Sequence, residues 1–159
     1  MYSRIIEISE KPIASKEHMK ESSIPEWFCE SIADYIDDDT DRENDIEWLL
    51  QQLNGGATYS KKDNSPCFEL NARKKYFATD FIRFNECLKE FSSMTEEEFS
   101  GETGRDTGMM MFHLIEAYSD EFGFYIYSED YQLETLQEWM RRVDLSKKYY
   151  IGSTLDYHW

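Results

Sequence analysis

Hydrophobic and polar positions alternate first near the start of the chain. Ser-Arg-Ile-Ile-Glu-Ile over residues 3–8 predicts an opening strand with imperfect alternation. After a polar connection, Ser23 with Glu26 three positions on makes a capping-box pattern, and Pro25 suits a first turn, where its missing N–H has no partner. Phe28, Ile32 and Tyr35, with Ile36 beside them, then supply the apolar face of a first helix. Thr40 and Glu43 repeat the capping pattern ahead of Ile46, Leu49, Leu50 and Leu53, and Asn54-Gly55-Gly56 stops this second helix. Two short runs, residues 57–60 and 67–70, flank turn formers and predict a hairpin.

The most regular pattern lies over residues 73–91. Phe77, Phe81, Phe84, Leu88 and Phe91 step by four, three, four and three, which predicts a long helix whose stripe forms the centre of a core. Thr95 with Glu98 caps a single turn ending at Gly101. Met111, Leu114, Ile115, Tyr118 and Phe122 mark a further helix over residues 109–121. Phe124 to Tyr127 reads as a strand, and Leu133, Leu136, Met140 and Val143 as another amphipathic helix with Trp139 at its flank. The segment from Tyr149 onward is placed to close a sheet. The order predicts an α+β fold: a single compact domain over residues 1–159, with a short antiparallel or mixed sheet covered by about four main helices.

Composition is consistent with this. A chain of 159 residues has the length of one domain, and 40% apolar with 16% aromatic residues suffices for a core. The net charge of −16 adds a functional constraint, because nucleic acid and anionic lipid are both repelled. The charge is uneven. Residues 34–47 carry eight acidic side chains against one basic, residues 91–120 seven against one, and residues 61–90 five against seven. Met1 leads into a polar segment without the pattern of a secretory signal, and no apolar run approaches the length of a membrane span, so the expectation is a cytoplasmic protein. Cys29, Cys67 and Cys87, odd in number and irregular in spacing, read as buried thiols of a cytosolic protein rather than a disulfide framework or paired metal ligands.

No segment meets the full requirements of a known chemical motif. Counting from Asp37, acidic oxygens fall at positions 1, 3, 5, 7 and 9 of a calcium-type loop, but Arg42 stands where the turn needs glycine and Trp48 where a bidentate glutamate is required. His18, His113 and His158 are too scattered for a compact zinc set. Cys67 or Cys87 could pair with His113 only through the fold. Glu96, Glu97 and Glu98 fan around one turn instead of facing each other across a cleft, and Gly101, Gly104 and Gly108 match neither a dinucleotide nor a phosphate-loop fingerprint. The reading is therefore a protein without catalytic residues, metal or cofactor. Its acidic surface captures a basic partner through Asp37, Asp38, Asp39, Asp41, Glu43, Asp45, Trp48, Glu96, Glu97 and Glu98. The partner expected is a basic protein such as a nucleic-acid-binding enzyme, with the carboxylates in place of phosphates, as in inhibitor, immunity or antirestriction proteins; this analogy rests on charge and size. The alternative is a small enzyme or metal-binding domain that uses the carboxylates of residues 37–45 or a Cys/His site.

Overall fold

A computed structural model describes residues 1–130 and 132–159. The strands are β1 (Tyr2–Ser9), β2 (Tyr35–Asp37), β3 (Ala57–Ser60), β4 (Ser65–Phe68), β5 (Tyr125–Ser128), β6 (Gln132–Thr135) and β7 (Tyr150–His158). The α-helices are α1 (Glu26–Ser31), α2 (Arg42–Gln52), α3 (Ala72–Tyr76), α4 (Ala78–Ser92), α5 (Glu96–Phe99), α6 (Thr107–Tyr118) and α7 (Leu136–Arg142). The fold is α+β, and its main sheet is mixed. The contacts divide the chain into two compact units, Met1–Tyr76 with Glu121–Trp159, and Phe77–Asp120.

The first unit is built on a five-stranded sheet in the order β2-β7-β1-β5-β6. β1 and β5 run parallel and the other pairings are antiparallel, so the closing strand β7 lies between the opening strand and the short edge strand β2. Alternation sends Ile5, Leu155, Tyr157 and Tyr125 to one face. There they meet Phe28, Ile32 and Ile36, and the Phe28 ring sits 4.8 Å from Tyr125 and 5.1 Å from Tyr157. Buried Ile46 and Leu49 lie on α2 and buried Leu53 is its C-cap; Thr40, just before the helix, bonds to Thr154 of β7. β3 and β4 form the hairpin as a separate two-stranded sheet.

Several boundaries differ from the sequence reading. The first helix ends at Ser31, and Tyr35 and Ile36, read as its apolar face, form strand β2 instead. Ser23 does not cap that helix; Pro25 occupies the cap position, and the Ser23 hydroxyl accepts the Lys20 N–H. The cap of α2 is Asp41, which accepts the Asn44 N–H, while the Thr40 hydroxyl bonds to Thr154. Gln132–Thr135 is a strand, so the last helix begins only at Leu136, with Thr135 and Glu138 forming its capping box.

The second unit is helical. The long helix predicted over residues 73–91 is broken at Phe77, the cap position of α4. α4 carries no buried residue, Phe81 is 68% exposed and Leu88 is also exposed, so the stripe is not the centre of a core. α6 buries Ala117 and holds α4 through Arg83 and Glu116 and through the Phe84–Tyr118 ring contact. Thr95 and Glu98 form the predicted capping box of α5.

Candidate partner-binding surface

In an antiparallel pairing, directly opposed residues project from the same face. The register therefore sets Arg4 of β1, Asp156 of β7 and Asp37 of β2 in one rung across three strands. Two residues further along, the next rung on that face holds Tyr2, His158 and Tyr35. α2 adds Asp45 and Trp48 to the first rung. Arg4 Nε donates to Asp45 Oδ1 at 2.5 Å, and the guanidinium carbon lies 4.5 Å from the centre of the Trp48 ring. Thr154 Oγ1 donates to Asp45 Oδ2 at 2.6 Å, so both oxygens of this buried carboxylate are satisfied. Asp156 Oδ1 stands 2.8 Å from Arg4 Nε but accepts no hydrogen bond. Burial pushes the Asp156 carboxyl above its ordinary range; Arg4 opposes this, and the charges of Asp45 and Asp37 add to it.

The loop between β2 and α2 has a different character. Asp37 Oδ1 accepts the Asp39 N–H at 2.9 Å, and Asp41 caps α2, placing its charge at the positive end of the helix. Asp38 and Asp39 are exposed, and among the described residues no Lys or Arg pairs with them. Asp34 holds His158 Nδ1 at 2.7 Å. Tyr35 is 57% exposed, and the nearby Asp37 charge raises its phenol above the ordinary value, with a smaller contribution from desolvation. Two nearby cations are turned inward: Arg4, in the same rung as Asp37, is buried, and Arg42, next to Asp41, donates to the carbonyls of Gly152 and Ile151 at 2.6 and 2.8 Å and to Asn64. Asp38 and Asp39 are thus left without a Lys or Arg partner among the described residues, with Tyr35 beside this loop and the half-exposed Trp48 over Arg4.

The remaining predicted residues fall in other settings. Glu43 is exposed and pairs with Lys61 at 3.0 Å. With Glu47, it rims a groove of about 540 Å³ between α2 and β3, lined also by Ile46, Leu50 and Tyr59. Asp45 faces the sheet and presents no carboxylate to a partner. Glu96, Glu97 and Glu98 belong to the second unit. Glu98 accepts the Thr95 N–H at 3.0 Å and pairs with Arg105 at 3.0 Å. The Thr95 backbone bond and then Arg105 hold its carboxyl below the usual range; Glu97 is lowered first by a backbone hydrogen bond and then by Thr95. The ten residues therefore divide into the surface loop with Asp37, Asp38, Asp39 and Asp41, Glu43 at the α2–β3 groove, Asp45 and Trp48 around Arg4, and the three glutamates of the second unit.

Other chemistry is sparse. The cysteines are not the buried thiols expected from the sequence: Cys29 and Cys67 are exposed free thiols and Cys87 is half-buried. Cys87 and His113 line one groove of about 270 Å³, together with Glu86 and Glu90, and the His113 ring is engaged by Arg83 and Glu116. Among the described residues, no three His, Cys, Asp or Glu side chains converge to hold a metal ion, and no helix is long and apolar enough to cross a membrane. Sequence reasoning missed Arg4, Asp156, Asp34 and Tyr35, which lie apart in the chain and meet only through the strand order. Comparison with protein-family models, curated proteins and solved structures finds no significant match to this chain.

Proposed function

We propose that this protein is a non-catalytic binding module that captures a basic partner protein, with the acidic segment over residues 34–41 as its docking edge. One observation carries the reading: Arg4 and Arg42 are committed to buried or backbone partners while Asp38 and Asp39 stand unpaired at the surface. Unopposed carboxylates attract a basic protein at long range and orient its approach. Tyr35 and Trp48 offer aromatic area at the edge, the kind of contact that supplies most of the tight binding once charges have met.

The partner is a basic cytoplasmic protein of the kind that binds nucleic acid, engaged where phosphates would otherwise sit. Nucleic acid itself is repelled by the net charge of −16. The test is capture on the immobilised protein at low salt, with identification of partners by mass. One stoichiometric, basic, nucleic-acid-binding protein that elutes with rising salt and competes with DNA or RNA for its own site is the expected result. Recovery of only neutral or acidic proteins, or retention that salt does not change, overturns the proposal.

A further inference from the structure

The second unit has an apolar face that its own packing does not cover. Phe81, Phe84 and Leu88 recur at three- and four-residue spacing on α4, as do Met111, Ile115 and Tyr118 on α6. The helices run antiparallel: Arg83 near the start of α4 pairs with Glu116 near the end of α6, while Cys87 and Glu90 share a groove with Met110. The Phe84–Tyr118 ring contact, 6.1 Å between centres, joins the two stripes on one side of the pair. Phe81 is 68%, Ile115 57% and Tyr118 58% exposed. At about 150–250 Å² per aromatic side chain, Phe81 and Tyr118 alone leave roughly 200–300 Å² in water. With Leu88, Met111 and Ile115 added, the face reaches the size that marks an interaction site rather than scattered surface residues.

The net charge of the unit that carries this face selects its occupant. The unit carries ten acidic side chains against three basic, and Arg83 and Arg105 are already held by Glu116 and Glu98. A second copy would bring the same excess of negative charge, and an anionic membrane would be repelled likewise. A segment with an apolar stripe and Lys or Arg on its flanks satisfies both features, and methionines such as Met111 adapt to varied side chains. We infer that the α4–α6 face docks a basic amphipathic helix of a partner protein, laid along the two apolar stripes. The inference shares the basic partner with the proposed function but rests on a separate surface.

The test uses the full chain and a labelled synthetic amphipathic peptide of Leu and Lys at helical spacing, followed by fluorescence anisotropy. Saturable binding is expected, weakened about tenfold or more in the Phe81→Ser/Ile115→Ser variant, as loss of central apolar contacts requires. A Leu/Glu peptide with the same apolar stripe should not bind. Equal binding of a Lys/Gln peptide without an apolar stripe overturns the inference, as does unchanged affinity in the double variant. Self-association in sedimentation that the same substitutions abolish also overturns it, by making a second copy the occupant. Circular dichroism checks that the variant is folded, and Leu88→Gln/Met111→Gln serves in its place if it is not. If the peptide fails to bind while the 34–41 edge still captures its partner, only this inference fails.

Discussion

Asp45→Ala removes the central acceptor of the Arg4 network, and its cost follows from the geometry. Asp45 is 1% exposed, receives Arg4 Nε at 2.5 Å and receives the Thr154 hydroxyl at 2.6 Å. Taking one partner from a buried ion pair costs about 3–5 kcal/mol, because the remaining charge stays desolvated. Asp156, 2.8 Å from the same nitrogen, takes up part of the Arg4 charge, which places this contribution near the lower end, at about 3 kcal/mol. The orphaned Thr154 hydroxyl adds about 1 kcal/mol, for a total near 4 kcal/mol. At a typical urea dependence of about 2 kcal/mol per molar, the unfolding midpoint falls by roughly 2 M. The assay is urea unfolding followed by tryptophan fluorescence, completed as a double-mutant cycle with Arg4→Met and Asp45→Leu. The double variant should be more stable than either single variant, since it removes both members of the buried pair and leaves only the partly exposed Asp156 without its cation. A loss below about 1 kcal/mol for Asp45→Ala, together with additive single effects, refutes the assignment of this pair to the interior.

Three further outcomes follow from the same packing. Asp156 has a raised carboxyl, so the folded state holds its proton more tightly than the unfolded chain; ionising it costs stability as pH rises from the ordinary carboxylate range through the raised value. Asp156→Asn should therefore be at least as stable as the parent at pH 7, an advantage that vanishes on acidification; lower stability at pH 7 in urea titrations contradicts this. A Cβ at Gly152 would collide with the Glu7 carboxylate, which accepts the N–H groups of Met19 and Ser153. Gly152→Ala should cost about 2–4 kcal/mol in the same assay, and a change below about 0.5 kcal/mol would show that Glu7 has room to move. Phe81→Ser should change stability by less than about 0.5 kcal/mol, against about 3–5 kcal/mol for truncating a buried phenylalanine. A large loss on thermal or urea unfolding would return Phe81 to a core.

Elements whose pattern is local were legible in the sequence. β1, the β3–β4 hairpin, β5 and β7 stand near where alternation and turn residues placed them, and α5 has the cap its Thr95 and Glu98 promised. The amphipathic stripe from Phe77 to Phe91 shows the limit of that reasoning, because periodicity identifies an apolar side without saying what covers it. Tyr35 and Ile36 continued the spacing of Phe28 and Ile32, and a three-residue strand offers too little alternation to compete. Asp45 looked like one more solvated acid in a charged run. Only the fold, which sets Arg4 of β1 and Thr154 of β7 against Asp45, turns that carboxylate inward. The surface loop fared better, since Asp38 and Asp39 are exposed as an acidic turn should be.

The most direct test of the basic-partner account is the association rate with the captured protein across a range of ionic strength. It compares the parent with a variant carrying Asp37→Asn, Asp38→Asn, Asp39→Asn and Asp41→Asn. Asparagine serves as a helix cap at Asp41, so the substitutions remove charge and keep the loop's hydrogen bonding. The account predicts a rate that falls steeply with salt for the parent. For the variant, it predicts a rate about tenfold lower at low salt and a flatter dependence. Identical rates and identical salt slopes for the two proteins would contradict it.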